Sequence, residues 1–286
     1  SSESPNEVAS VPTDMLLQYR LDETEGDQVQ SSTNPVGQGK VTGTPQWVAG
    51  HLDQAFGFDG MTFIDLGNVA NFERTDSFSY GAWIRPQGKG SGAPLAKMDD
   101  AHGYRGYDLF LKDGKVEVHL IHLWPGNSLL VTTVTVLKPD EWQHVMVTYD
   151  GSSKAQGIQV YFDGQAQIVD IEKDSLADSI RTEKPLHLGQ RDQSEAFQGQ
   201  LDDVQFFSRE LTPDEVLTIA NHDFVTSIVA LPPDQRTDQQ LEKLRNYSSA
   251  KHNPAYRQLQ TIRKKINKQI VTMSDPVTTV MVMKDL

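Results

Sequence analysis

The feature that most constrains this chain is a period of two. Successive side chains of a strand point to opposite faces, so apolar and polar residues alternating over about four to eight positions mark a half-buried strand. In "WQHVMVTYDG" (142–151) the alternation puts Val145, Val147 and Tyr149 on one face. In "GIQVYFDGQ" (157–165) it does the same for Ile158, Val160 and Phe162. "MLLQYRLDE" (15–23), "AFGFDGMTFIDLG" (55–67), "SFSYGAWIRP" (77–86), the β-branched "LLVTTVTVL" (129–137), "LHLGQR" (186–191) and "LDDVQFF" (201–207) are further strand candidates. "YDLFLKDGKVEVHLIHLW" (107–124) reads as a hairpin turning at Asp113-Gly114. Short strands joined by Gly/Asp turns, with no βαβ rhythm, predict a mainly β fold of two stacked antiparallel sheets.

One stretch resists this pattern. In "FQGQLDDVQFF" (197–207), strict alternation puts Asp202 on the face of Val204 and Phe206, with Leu201, Asp203 and Gln205 opposite. An unpaired carboxylate on a buried face is costly. The expectation is a strand that begins at Asp202, with its side chain at the core's rim and Asp203 an ordinary solvated acid.

The pattern changes after Ser208. "LTPDEVLTIANH" (211–222) reads as a short helix, with Thr212 as N-cap, Pro213 at the first helical position and acids in the first turn. "ALPPDQR" (230–236) reads as a linker. "TDQQLEKLRNYSSA" (237–250) and "PAYRQLQTIRKKINKQIVTM" (254–273) follow helical spacing, with Leu259, Ile262, Ile266 and Ile270 on one side. The predicted organisation is a flexible lead-in over 1–13, a sandwich over 14–224, and a linker with a short helical C-terminal extension over 225–286. The apolar "DPVTTVMVMKDL" (275–286) has no partner in sight.

Charge is divided along the chain. Nine Lys/Arg against two acids put +7 on 236–272 and leave −20 elsewhere, within a formal −13. An acidic body argues against nucleic acid as a partner and is compatible with cations. The chain has no cysteine, which excludes disulfides, thiolate nucleophiles, Cys-ligated zinc and covalently attached c-type haem. No apolar run approaches the ~18–20 residues of a membrane span, and "SSESPNEVAS" reads as a polar lead-in rather than a signal peptide.

Sugar sites combine an aromatic platform with a few fixed polar groups. "HLIHLWPGN" (119–127) offers Trp124 beside a Pro-Gly turn, and "DDAHGYRGY" (99–107) offers His102, Tyr104, Arg105 and Tyr107. These five are the candidate ligand-binding residues. Trp47, Trp83 and Trp142 lie in or beside strand patterns and are expected in the core.

"FDGMTFIDLGNVANFERTDSFSYGAWIRP" and "FQGQLDDVQFFSRELTPDEV", with "YRLDE", "WQHVMVTYDG" and "YFDGQ" in order around them, resemble the laminin-G-like, concanavalin A-like jelly-roll family over roughly 14–222. The resemblance implies a jelly-roll sandwich that binds sugars, proteins or steroids. It also implies a structural calcium held by Asp202, with Asp22 and the Asp59–Gly60 turn as companions; the alternative is that Asp202 pairs with an arginine or accepts backbone N–H bonds. Some relatives cleave polysaccharides. The Glu-x-Asp-x-x-Glu strand of the glucanases is not completed by "EGDQVQ" (25–30) or "EKDSLA" (172–177). A lyase-type set of His119, His122, Tyr104, Tyr107 and Arg105 is available, but alternation puts the two histidines on opposite faces. "VALPPDQRTDQQLEKLRNY" and "TVMVMKDL" resemble the start of the C-terminal domain of large planctomycete-type cytochrome-like proteins, so the chain reads as a piece of a longer exported protein, without its haem region. The expected role is a non-catalytic binding module with a glycan or the neighbouring domains as partners. A spacer without small ligand and a divergent polysaccharide-cleaving enzyme are the alternatives.

Overall fold

The computed structural model of the protein describes residues 10–33, 38–252, 262 and 266. The chain divides into two compact units, Ser1–Pro232 and Pro233–Leu286. The first long helix, α1 (Pro213–Ala230), runs past residue 224. Its start follows the sequence: the Thr212 hydroxyl accepts from the Glu215 amide, Glu215 reaches back to the Thr212 amide, and Pro213 opens the helix. The second unit contributes α2 (Asp238–His252). The lead-in to residue 9, the expected helix over 254–273 apart from Ile262 and Ile266, and the segment 275–286 lie outside the described residues.

The strands of the first unit are, in chain order, β1 (Leu17–Tyr19), β2 (Gln28–Gln30), β3 (Gln38–Thr42), β4 (Trp47–Ala49), β5 (Gln54–Asp59), β6 (Phe63–Asp65), β7 (Phe78–Pro86), β8 (Gly92–Asp99) and β9 (Arg105–Lys112). They continue with β10 (Lys115–Leu123), β11 (Asn127–Val136), β12 (Gln143–Tyr149), β13 (Ile158–Phe162), β14 (Gln165–Ala166), β15 (Val169–Asp174), β16 (Leu186–Leu188) and β17 (Gln198–Phe207). One sheet has the order β14-β13-β12-β7-β17-β5-β4, with β1 added on β17; the other has the order β15-β11-β10-β9-β8-β16-β6-β3-β2. We call them sheets A and B. All pairings are antiparallel. The architecture is the expected two-sheet jelly-roll sandwich. The hairpin at Asp113-Gly114 has positive φ at both turn residues, 51° and 83°, as a tight primed turn requires.

The inward faces of both sheets meet in one core, which includes Phe56, Phe58, Tyr80, Ile84, Leu109, Val118, Val145, Val147 and Phe206. α1 packs on the outer face of sheet A, where Val216 and Ile219 join Met146, Tyr161 and Phe207.

β17 resolves the Asp202 puzzle differently from the expectation. The strand does not begin at Asp202 but runs through it. Along β7, Asp202 pairs with Trp83 and Gln205 with Gly81, so two residues of β17 oppose one of β7. Asp203 takes a left-handed φ of 46° at this bulge. The extra residue resets the alternation: Leu201, Val204 and Phe206 all enter the core, while Asp202 and Gln205 line a cavity on the outer side. Asp203 is not a solvated acid. It is half-buried and accepts from the side-chain amides of Gln18 (2.7 Å) and Gln205 (2.6 Å).

Of the three tryptophans expected in the core, Trp83 and Trp142 lie elsewhere. Trp47 packs edge-on against Phe56 at the core's margin. Trp83 lies half-buried outside sheet A, stacked on His51 at 3.5 Å, and Trp142 approaches the same ring at 6.5 Å. Beneath them His144 is 1% exposed with neither ring nitrogen hydrogen-bonded. Burial, with the neighbouring His51, pushes its pKa down to about 3. A folded-state pKa below the unfolded value of 6.5 contributes stability that is full above pH 6.5 and lost as pH falls toward 3. The whole span is worth on the order of 5 kcal/mol, of which about 3 falls between pH 7 and 4. Denaturant unfolding of the parent is expected to weaken by about 3 kcal/mol between pH 7 and 4, and His144→Phe to lose most of this extra acid sensitivity.

Candidate functional site

The outer face of sheet B carries a polar and aromatic cluster. In β9, Tyr107, Leu109 and Leu111 face the core, so Asp108 and Phe110 face out. In β10, Val116, Val118 and Leu120 face in, so Glu117 and His119 face out. The two-residue turn fixes the register that pairs Asp108 with His119 and Phe110 with Glu117. Arg191 arrives from the segment after β16.

Asp108 is fully buried and doubly partnered. Arg191 Nε donates to its Oδ2 at 2.8 Å, and Nη2 lies 2.7 Å from the same oxygen as an ion pair. The His119 ring donates through Nδ1 to Oδ1 at 2.8 Å, since an ionised carboxylate can only accept. Burial pushes the Asp108 carboxyl up, but Arg191 and His119 outweigh it and hold it below the usual range. Removing one partner of such a buried pair costs about 3–5 kcal/mol, so the network is part of the sandwich wall and holds its side chains fixed. His119 Nε2 faces Glu117 Oε2 at 3.7 Å, and Lys112 reaches the same carboxylate at 3.8 Å. Burial raises the Glu117 pKa.

Aromatic rings surround this network. The Arg191 guanidinium lies 4.8 Å from the Phe110 centroid and 5.8 Å from that of Tyr104. The Trp124 ring meets His119 edge-on at 5.6 Å. Tyr104 is 38% and Leu123 54% exposed, and Trp124 is half-buried. The surface therefore offers rings to a ligand around charged groups that cannot swing away.

Of the five expected ligand residues, Tyr104 and Trp124 come to this face. His102 stands exposed on the adjoining turn, with Nδ1 2.9 Å from Asp99. Arg105 donates to the His122 carbonyl at 3.4 Å. Tyr107 must be withdrawn: it is 2% exposed in the core and its hydroxyl donates to the Ala70 carbonyl at 2.8 Å. The sequence reading missed Asp108, Phe110, Glu117 and Arg191. The first three were legible by pairing the hairpin across Asp113-Gly114. Arg191 carries no local signal, since it lies in an irregular segment far along the chain.

The expected metal residues fall into two places. Asp202 and Asp22 line one cavity of about 410 Å³ at the β17 bulge. Asp202 Oδ2 accepts the amides of His51 (2.9 Å) and Leu52 (3.2 Å), and Asp22 accepts that of Gln54 (3.3 Å). Both carboxylates thus converge on the turn that feeds β5. Burial raises the Asp202 pKa to about 7, against the lowering effect of those amides. A side chain at Gly50 would strike the carbonyl oxygens of Leu52 and Gln54 and the Asp202 carboxylate together. Three oxygens thus lie close together here, where a calcium ion takes about six to eight. Asp59 and Gly60 must be dropped from the set. The Asp59 carboxylate is spent inside its own turn on the amides of Met61 (2.9 Å) and Thr62 (2.8 Å), away from this cavity. Among the described residues no three His, Asp or Glu side chains gather closely enough to hold a metal by themselves, so carbonyls would have to complete the shell. No described helix is long and apolar enough to cross a membrane.

Comparison with solved structures returns the same architecture. The binding domain of Paraclostridial mosquitocidal protein 1 matches with a TM-score of 0.59 at 17% identity, over 74% of this chain and 52% of that one. The binding domain of botulinum neurotoxin DC, solved with rat synaptotagmin II, matches at 0.56 and 14%, over 74% and 52%. Domain 4 of an extracellular arabinanase from Geobacillus stearothermophilus, in complex with arabinotriose, matches at 0.50 and 18%, over 72% and 98%. The chain spans about half the length of the two toxin domains and nearly all of the arabinanase domain. At these identities the likeness is one of fold. A family model described as the concanavalin A-like lectin/glucanases superfamily, of laminin-G type, matches residues 58–217. That match covers more than half of the sequence and includes β7 through β17, and the chain belongs to this family.

Proposed function

We propose that the first unit is a non-catalytic binding module of a larger exported protein, and that the outer face of sheet B takes a carbohydrate. The observation that carries this reading is the ring of Tyr104, Phe110 and Trp124 around the locked Asp108–Arg191–His119 network. Rings stack on the apolar faces of sugars, and the buried network beneath holds these rings in place. α1 lies on sheet A and leaves this face to the loops around it. The arabinanase domain in complex with arabinotriose supports the same class of ligand.

Titration against a glycan panel that includes arabino-oligosaccharides tests the reading. Binding is expected, with Tyr104→Ala and Trp124→Ala each weakening it about tenfold or more while the thermal transition is kept. Silence across the whole panel would leave the domain a spacer.

The same proposal includes a structural calcium held by Asp202, Asp22 and the carbonyls of Leu52 and Gln54. A divalent cation there offsets the cost of a buried Asp202 carboxylate. Calcium is expected to raise the melting temperature over that in chelator by about 5 °C, and Asp202→Asn to abolish the difference. No shift in the parent, or an equal shift in the variant, contradicts the assignment.

A further inference from the structure

The cavity at the β17 bulge is larger than one ion needs. Its 410 Å³ is many times the roughly 30 Å³ share of a water molecule. From the calcium cradle at the β5 turn it extends to α1, where Ile219 and Asp223 line it together with Val11 and Met15. This far end has a charged wall and an apolar wall.

Gln205 points to what the far end accepts. Its side chain is 2% exposed and lines the cavity. Nε2 donates to Asp203 Oδ2 at 2.6 Å, and because a carboxylate can only accept, this fixes which end of the amide is the nitrogen. The other end is Oε1, a buried acceptor with no hydrogen-bond partner. An orphaned buried acceptor costs about 1–3 kcal/mol unless a donor reaches it. Five aspartates, Asp22, Asp53, Asp202, Asp203 and Asp223, face the cavity against Arg20 and His222. The missing group is therefore a cationic donor without acceptors of its own. An ammonium group has three N–H donors and none to accept. A metal ion would gain nothing from the apolar wall, whereas an alkyl stem would bury against it.

We propose that the α1 end of this cavity is a second binding site, for a primary ammonium group carried on an alkyl chain. The ammonium donates to Gln205 Oε1 and sits between the carboxylates of Asp203 and Asp223, with the stem along Met15, Val11 and Ile219. The chemistry is shared by a free diamine or polyamine and by a lysine side chain of a protein partner. The site lies on sheet A and is independent of the carbohydrate face.

Calorimetric titration of the full chain in chelator tests it, with 1,5-diaminopentane, Nα-acetyl-lysine amide and 1-pentanol as probes. Saturable binding of the ammonium probes is expected, with none for pentanol. Asp223→Asn, at a solvent-exposed position on the cavity's rim, and Gln205→Met are each expected to weaken it about tenfold. Tighter diamine binding identifies a free polyamine as the source, and equal or tighter binding of the lysine derivative identifies a partner's side chain. The proposal is overturned if no ammonium probe binds up to about 10 mM, if pentanol binds as well, or if Asp223→Asn, melting as the parent does, binds unchanged.

Discussion

The structure turns on one extra residue in β17. This strand is central to sheet A, with β7 along one edge. Its other edge is shared: β5 pairs with it at Gln198–Leu201 and β1 at Val204–Phe206. The bulge falls where the neighbour changes. A flat ladder would leave a gap between the ends of β1 and β5, and would carry Asp202 into the core. The left-handed turn of the backbone at Asp203 keeps Leu201, Val204 and Phe206 on the inner face and places Asp202 where the amides of His51 and Leu52 close the gap. A one-residue change of register flips every later side chain to the other face, so core and cavity are specified by the same bulge.

The two outer faces then have different characters for one physical reason, the way each is covered. Sheet A receives α1 and the segment around Val11 and Met15, which seals an apolar patch and leaves a walled, acidic hollow beside it. Sheet B receives loops. Its outward side chains are buried mainly by one another, and a buried charge in that position needs partners. Asp108, Arg191 and His119 supply them mutually, which makes a rigid floor beneath rings that stay accessible.

Much of this was legible in the sequence. Period-two segments located β5, β7, β10 to β13 and β17, and Thr212-Pro213 marked the start of α1. β8 was missed because "GAPLAKMD" is buried on both faces and shows no alternation. The bulge was missed because Asp203 reads as one more polar position, and only the pairing partners reveal that two residues oppose one. The candidate face on sheet B was half legible. Tyr104 and Trp124 stand out as rings beside glycines, yet Tyr107, two residues from Arg105 in the same loop motif, belongs to the core because strand alternation begins there. Asp22 and Asp202 converge on one turn, while Asp59 serves its own hairpin. Which acid goes where depends on contacts whose reach differs from 2 residues at Asp59 to 32 at Asp22 and 151 at Asp202.

Equilibrium unfolding of a chain lacking residue 203, compared with Asp203→Asn, tests the central claim most directly. Asparagine tolerates the left-handed conformation and keeps an acceptor for Gln18 or Gln205, so the substitution should stay within about 1 kcal/mol of the parent. Deletion restores strict alternation and drives either Leu201 or Phe206 out of the core, so cooperative unfolding should be lost or weakened by more than about 4 kcal/mol. A deletion chain as stable and cooperative as the parent would contradict the account.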